Sequence, residues 1–160
     1  MLTGKQMYRQ TTYQEESYAQ VVDEIQPLIK SHWKEIASCK DKIKLNPNFN
    51  MYKTMNELGI LRIFTVRDFG KLVGYFIVMC QPHLHYSDHV YAMNDIIYID
   101  PEYRGSTIAF KLLRSVEKRL KKDGVSVLMI NMKVYAPFDR LLEKLNFENT
   151  ERVYSKYIGD

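Results

Sequence analysis

The sequence is poor in the residues that interrupt regular structure. Its 160 residues include only seven glycines and five prolines, and these stand apart along the chain. Linkers between domains are often rich in such residues. The length is typical of one domain, so we expect a single domain over residues 1–160, without internal repeats or low-complexity tracts.

Cysteine and long apolar runs are also scarce. Cys39 and Cys80 are too few for a disulfide framework or a recognisable zinc site, so no metal is expected. The longest apolar run, residues 72–80, is far too short to cross a bilayer. Residues 1–10 are polar and lack an apolar signal region. These features predict a cytoplasmic protein with no membrane partner.

The charge balance is only mildly basic. Lysine and arginine number 23 against 19 aspartates and glutamates, a net charge of +4. A small positive excess can attract an anionic ligand, but it is too weak to predict nucleic-acid binding.

Apolar spacing predicts mostly helices before Gly59 and mostly strands after it. A short first strand is expected at residues 7–12, and a helical pattern begins at Tyr13. Pro27 lies inside that pattern and predicts a kink or break. A short helix is expected at residues 50–58.

The second part of the chain alternates strands and helices. The strand and helix over residues 90–122 are followed by a further strand, which predicts a crossover and a parallel pair in the sheet. The predicted elements are strand 60–67, a hairpin turn at 68–71, strand 72–80, a polar loop at 82–89, strand 90–99, helix 104–122, strand 125–134, helix 137–145 and strand 147–158.

Residues 94–109 carry the clearest functional signal. A strand leads through a short loop into an amphipathic helix, whose first backbone N–H groups have no partner inside the helix. Together with the helix dipole, these groups form an anion site. Gly105, Ser106 and Ala109 are small enough to let a pyrophosphate approach. The alternative is that Arg104 and Gly105 only form a turn before the helix.

A resemblance supports the functional interpretation. Pro-Glu-Tyr-Arg-Gly at residues 101–105, with Leu112-Leu113 and Gly124-Val125 downstream, resembles the central coenzyme A motif of GNAT acetyltransferases. The stretch Leu-Glu-Lys-Leu-Asn-Phe at residues 142–147 is similar to the helix-to-strand ending of that family. Other segments, including His32-Trp33 and His83-Leu84-His85-Tyr86, look similar to members found in phages and prophages.

The resemblance implies a fold, a co-substrate and a binding surface. The fold would be α/β (α+β), with a mixed, mostly antiparallel sheet, helices on both faces and one splayed parallel pair. The co-substrate would be acetyl-coenzyme A and the partner an amine acceptor, protein or small molecule; members often form homodimers. The residues expected to bind the coenzyme are Ile97, Tyr98, Ile99, Arg104, Gly105, Ser106, Thr107, Ile108 and Ala109.

Two positions depart from the family pattern. Thr107 replaces a glycine, and its Cβ predicts a loop that is less snug around phosphate or differently shaped. Leu142 occupies the position of a frequent general-acid tyrosine, and its side chain cannot transfer a proton. A different group, or water, must then protonate the coenzyme thiolate.

Three residues are the candidates for proton transfer. Asp95 lies in the strand beside the expected groove, and strict alternation places it on one face with Ile97 and Ile99. His85 precedes that strand, and Tyr135 follows the opposite one; both residue types can move protons. The alternatives are a structural ion pair for Asp95, a solvated loop for His85 and simple packing for Tyr135.

Three functions remain open at this stage. The first is N-acetylation of a primary amine, and the second is another acyl transfer on the same fold, including modification of a nucleobase. The third is a non-catalytic binding or inhibitor module, which the departures at Thr107 and Leu142 favour.

Overall fold

The computed structural model describes residues 9–159. Five strands, four α-helices and one short 3₁₀ helix follow one another within this range. They are β1 (Thr11–Glu16), α1 (Tyr18–Ile36), α2 (Phe49–Glu57), β2 (Leu61–Asp68), β3 (Lys71–Pro82), β4 (Val90–Ile99), the 3₁₀ helix (Pro101–Tyr103), α3 (Ile108–Lys122), β5 (Val125–Met129) and α4 (Asp139–Lys144).

The strands form one mixed sheet in the order β1-β2-β3-β4-β5. Every neighbouring pair is antiparallel except β4 and β5, which are parallel and joined through α3. A parallel connection needs a crossover element, and the helix provides it. The predicted fold class and the predicted parallel pair are therefore confirmed.

Each face of the sheet has its own hydrophobic core. The α1-face core contains Val21, Ile25 and Ile29 of α1 and is completed by partly buried residues of α2. The α3-face core contains Leu112 and other residues of α3, with partly buried residues of α4. The sheet is thus covered on both sides. Separately, no helix within residues 9–159 is long and apolar enough to cross a membrane.

The β2–β3 hairpin turns where the sequence predicts. Phe69 and Gly70 both have positive φ angles, 46° and 85°. Two successive left-handed residues are typical of a type I′ turn, whose twist matches that of the flanking strands.

The N-terminal prediction needs two corrections. Residues 11–16 are a strand paired with β2, so the helix begins only at Tyr18, after Ser17 and Gln20 form a capping box. Residues 7 and 8 of the predicted first strand lie outside the described range. Of the kink or break expected at Pro27, the break is absent, since α1 is continuous from Tyr18 to Ile36. Apolar packing on both sides of Pro27 offsets its helix-breaking cost of about 3 kcal/mol.

The C-terminal prediction is also corrected. Helix α3 begins at Ile108 rather than at residue 104, and β5 ends at Met129 rather than at residue 134. No strand follows α4 within the described residues, although one was expected at 147–158. Val153, Tyr154 and Ile158 are exposed, so the apolar residues that suggested a strand have no neighbouring strand to cover them.

Candidate active site

The parallel strands β4 and β5 separate partway along their length. Their ladder runs from the pair Val90–Val125 to the pair Met93–Met129. Beyond it, the Asn94 side chain takes the place of a backbone partner. Its Nδ2 donates to the Asn131 carbonyl at 3.1 Å, and the Asn131 N–H donates to its Oδ1 at 2.5 Å. The sheet therefore opens between β4 and the chain that follows β5.

A β-bulge places Asp95 at the start of this opening. On β3, Ile77 pairs with Ile96 and the next residue, Val78, pairs with Asn94, so Asp95 has no partner in the ladder. A bulge adds one residue to a strand and locally breaks the alternation of its side chains. The polar residue thus stands outside the regular register of β4.

The bulge reverses the face that alternation assigns to Asp95. Ile97 packs with the α3-face core, whereas the Asp95 carboxylate contacts Tyr52 of α2. The prediction that Asp95 shares a face with Ile97 and Ile99 is therefore wrong. The physical reason is the extra residue, which no pattern of apolar spacing reveals.

Tyr52 is a residue that the sequence analysis missed. Its hydroxyl donates to Asp95 Oδ2 at 3.0 Å, and burial, followed by the Asp95 charge, raises the pKa of Tyr52. The sequence contains 12 tyrosines. Nothing in the pattern around residue 52 distinguishes this one until α2 is placed beside β4.

The structure does not bring His85 to the opening. His85 is exposed on the loop before β4, and its N–H donates to His83 Nδ1 at 3.1 Å. In the same loop, His89 is hydrogen-bonded to Ser126 of β5 at 2.8 Å. The loop therefore lies where β4 and β5 are paired, and the expected convergence of His85 with Asp95 is not found.

Tyr135 lies on the other side of the opening, after β5 as expected. Its hydroxyl donates to the Ile36 carbonyl at the end of α1, at 2.5 Å. This contact links the chain after β5 to α1 across the splayed end of the sheet. A role for Tyr135 in proton transfer stays a prediction.

The loop after the 3₁₀ helix presents unpaired backbone N–H groups. Gly105 has a φ of 71°, and an added Cβ would meet nothing within 4 Å. The Ser106 hydroxyl accepts from the Ile108 N–H at 3.3 Å. Within the described range, no acceptor meets the N–H groups of Gly105, Ser106, Thr107, Ala109 and Phe110.

Thr107 does not strain this loop. Its φ of −80° and ψ of 2° are close to those of the third residue of a type I turn, a conformation that is open to residues with a Cβ. Only Gly105 needs the left-handed conformation that favours glycine. The departure from the family pattern at Thr107 is therefore compatible with a regular helix start.

The Arg104 side chain is hydrogen-bonded to other parts of the protein. Its Nε donates to the Ile99 carbonyl at 2.7 Å, and its guanidinium forms two hydrogen bonds with Glu35 at 2.5 and 2.8 Å. These hydrogen bonds lower the pKa of Glu35. Arg104 thus ties the end of α1 to the end of β4, and its backbone N–H donates to the Pro101 carbonyl at 3.2 Å.

His32 lies buried beside this ion pair. Its ring contacts the Tyr98 ring at a centroid distance of 5.2 Å, and burial lowers its pKa. Leu142, at the position of the frequent family tyrosine, packs against the α3-face core. Among residues 9–159, no group of three or more histidines, cysteines, aspartates or glutamates could hold a metal ion.

Comparison with known structures identifies the same fold in acetyltransferases. The ribosomal-protein-alanine N-acetyltransferase of Brucella melitensis biovar Abortus 2308 has a TM-score of 0.70 and 19% identity, over 94% of this chain and 100% of that one. An aminoglycoside acetyltransferase from an uncultured soil metagenomic sample has a TM-score of 0.74 and 12% identity, over 94% and 99%. A predicted acetyltransferase of Clostridium acetobutylicum, solved with acetyl-CoA, has a TM-score of 0.70 and 11% identity, over 93% and 97%.

Sequence comparison gives the family. No curated protein sequence matches significantly. The model described as "Acetyltransferase (GNAT) family" matches residues 27–147, which is more than half of the chain. This stretch includes the bulge at Asp95, the loop at Gly105 and the whole of α3. The chain therefore belongs to the GNAT acetyltransferase family.

Proposed function

We propose that this protein is an acetyl-coenzyme A-dependent N-acetyltransferase that acetylates a primary amine. The observation that carries the proposal is the splayed half of β4. It connects the Asp95 carboxylate at one end with the unpaired N–H groups of the Gly105 loop at the other. The distance from Asp95 to Ile99 along the strand is about 13 Å. This arrangement suits an elongated co-substrate with a reactive group at one end and phosphates at the other.

The residues of the loop fit the phosphate end of acetyl-coenzyme A. The free N–H groups and the α3 dipole favour an anion. Along β4, the edge that faced β5 has no strand partner after Met93 in the described part of the chain, and the Ile99 carbonyl accepts from Arg104 Nε, so the backbone groups of Ile97 remain on that side. Such groups can hydrogen-bond the amides of the coenzyme arm.

The bound coenzyme would supply an activated thioester. The overall exchange replaces a C–S bond with a C–N bond and moves one proton from nitrogen to sulfur, without oxidation. Asp95 is the proposed acceptor of the amine proton, at the carboxylate oxygen Oδ1. Tyr135, on the opposite side, is the proposed donor to sulfur, for which its hydroxyl turns from the Ile36 carbonyl. Afterwards Asp95 releases its proton to solvent and Tyr135 takes one back, so both return to their starting states. His85 has no role in this scheme because of its place on the loop before β4.

The test combines coenzyme binding with thiol release. Acetyl-coenzyme A should raise the melting temperature, because a ligand that prefers the native state stabilises it. Free thiol should then appear with at least one member of a panel of peptide, polyamine and aminoglycoside amines. Thiol release that does not depend on any amine would contradict the proposal.

A matched pair of variants tests the location of the coenzyme. Gly105→Ala retains the N–H, and its Cβ meets no atom within 4 Å, although the φ of 71° strains any residue with a Cβ. Gly105→Pro removes the N–H and cannot adopt that φ. We expect the alanine variant to bind the coenzyme within about threefold of wild type and the proline variant at least about tenfold more weakly. Unchanged affinity in a folded proline variant would refute this location.

A second candidate function follows from Leu142. This side chain packs in the core where many family members carry an acid, which favours a module that binds coenzyme without turnover. Coenzyme binding without thiol release across the whole amine panel would support that alternative. The identity of the acceptor and the resemblance to phage members stay predictions.

A further inference from the structure

Tyr52 and Asp95 form a hydrogen-bonded pair, of which the proposed reaction uses only Asp95. The bulge removes Asp95 from the β3–β4 ladder, so its carboxylate is held by a side chain contact alone. The Tyr52 hydroxyl donates to Oδ2 at 3.0 Å. Among the described residues, no other donor contacts this carboxylate, and Oδ1 has no hydrogen-bond partner.

The Tyr52 ring is itself held on two sides. The Tyr18 ring lies 6.5 Å away and the Phe49 ring 6.3 Å away, both measured between ring centroids. Aromatic neighbours at these distances restrict the ring and hence the direction of its hydroxyl. The hydroxyl therefore approaches Asp95 from a fixed direction.

Helix α2, which carries Tyr52, is capped at its start and anchored near its end. At its start, the Asn48 side chain accepts from the Met51 N–H at 3.0 Å. Near its end, the Asn56 side chain accepts from the Tyr18 N–H at 2.8 Å and donates to the Leu61 carbonyl at 2.9 Å. These contacts tie α2 to α1 and β2, so the position of Tyr52 is set by the core of the protein.

We propose that Tyr52 is a positioning residue that holds the Asp95 carboxylate through Oδ2 and leaves Oδ1 for the acceptor nitrogen. The inference rests on the proposed function. A hydrogen bond to a charged group is stronger than a neutral one, and it fixes geometry as well as charge. Burial and the carboxylate raise the pKa of Tyr52, so Tyr52 keeps its proton and acts as a donor of a hydrogen bond rather than as an acid.

The experiment is a double-mutant cycle on turnover with Tyr52→Phe, Asp95→Asn and the combined variant. Loss of the Tyr52 hydroxyl should lower kcat by about 10- to 100-fold, while coenzyme affinity and the KM for coenzyme stay within about twofold. In the Asp95→Asn background the same change should alter kcat by less than about twofold, because Tyr52 acts through Asp95.

Tyr13→Phe is the matched control. It also removes one tyrosine hydroxyl, but on β1, where that hydroxyl contacts Thr11 at 3.3 Å and Tyr13 packs against the α3-face core. The control should retain wild-type kcat. Wild-type kcat in Tyr52→Phe, or losses from Tyr52 and Asp95 that multiply in the combined variant, would overturn the inference.

Failure of the proposed function would give a different result. If the wild-type protein releases no thiol with any amine, the acetyltransferase proposal fails, and a similar cycle is measured on thermal unfolding. An asparagine amide oxygen could still accept from Tyr52, so this cycle uses Asp95→Ala; Tyr52→Phe should lower the melting temperature in the wild-type background but not in Asp95→Ala. Equal shifts in both backgrounds would overturn the positioning role as well.

Discussion

Strands β3 and β4 lie side by side in the sheet but differ in almost every other respect. In β3, the side chains that contribute to the two cores are each at most 3% exposed; they belong to Leu72, Val73, Tyr75, Phe76, Ile77 and Val78. Strand β4 contains Asn94 and Asp95 near its middle, and its register shifts there. Strand β3 is thus buried along this run, whereas β4 is interrupted by the polar residues Asn94 and Asp95.

This difference assigns β3 to the stability of the fold and the middle of β4 to the proposed chemistry. A strand covered on both faces reads as a continuous apolar run, as β3 does. In β4 the polar pair coincides with the bulge and with the point where β5 departs, so the same residues that weaken the strand form the opening. Substitutions in β3 should therefore affect folding, and those at Asp95 should affect turnover.

The largest expected effect tests the chemical half of this comparison. Asp95→Asn retains the shape of the side chain but removes the charge that accepts a proton. We expect kcat to fall by about 10²- to 10⁴-fold, with the free energy of unfolding within about 1 kcal/mol of wild type. Steady-state thiol release and chemical denaturation measure the two quantities. A decrease in the free energy of unfolding of clearly more than about 1 kcal/mol would mean that Asp95 stabilises the fold.

A substitution in β3 tests the other half. Phe76 is fully buried in the α3-face core, and Phe76→Ala should reduce the free energy of unfolding by about 3–5 kcal/mol. Leu84→Ala is the matched control, since Leu84 is 96% exposed and its loss should cost less than about 0.5 kcal/mol. Similar denaturation midpoints for the two variants would contradict the assignment of β3 to the core.

A smaller effect concerns pH and the α1 side of β4. Burial lowers the pKa of His32 below its unfolded value, with Glu35 raising it and Arg104 lowering it further. As pH falls below about 6.5, the unfolded chain takes up this proton first, so stability decreases toward the folded pKa. His32→Phe should lose less stability than wild type between pH 7.5 and 5.5.

Melting temperatures measured across that range test the His32 prediction. The expected difference is less than about 1.4 kcal/mol per pH unit. The carboxylates with lowered pKa values, Glu16, Glu35 and Asp123, lose their stabilising contribution only at lower pH, below about 4.5. Identical pH profiles above pH 5.5 for wild type and His32→Phe would show that His32 does not titrate on unfolding.

The smallest effect is expected within β3 itself. The Tyr75 hydroxyl is buried and has no hydrogen-bond partner within residues 9–159. Tyr75→Phe removes this unsatisfied group and should leave the free energy of unfolding unchanged or raise it by up to about 1 kcal/mol. Differential scanning calorimetry measures the change, and a clear loss of stability would show that the hydroxyl is satisfied in the folded protein.

Local patterns predicted the regular part of the molecule well. The strand Val90–Ile99 has the predicted bounds, and the hairpin turn at Phe69 and Gly70 follows from short-range turn chemistry. These features depend on residues that are close in sequence. The corrections at Pro27 and at the C-terminal tail are different, because there long-range packing, or its lack, outweighs the local pattern.

The active-site prediction divides in the same way. The Gly105 loop could be proposed as an anion site because its residues are consecutive in the sequence. The partner of Asp95 could not be proposed, since Tyr52 lies 43 residues earlier in the chain and on another element. The prediction that His85 lies near Asp95 failed for a related reason. His85 is close to β4 in the sequence, but its loop lies at the end where β4 and β5 are paired.

The sequence by itself determined the order of elements from β1 to α4, the parallel crossover and the small-residue loop at the helix start, because each follows from apolar period and backbone conformational preference within a short window. Only the tertiary structure decided the bulge at Asp95, the hydrogen bond from Tyr52 and the ion pair between Arg104 and Glu35. These features depend on how β4 registers against β3 and how α1 and α2 pack over the sheet, and such contacts between distant residues leave no local trace.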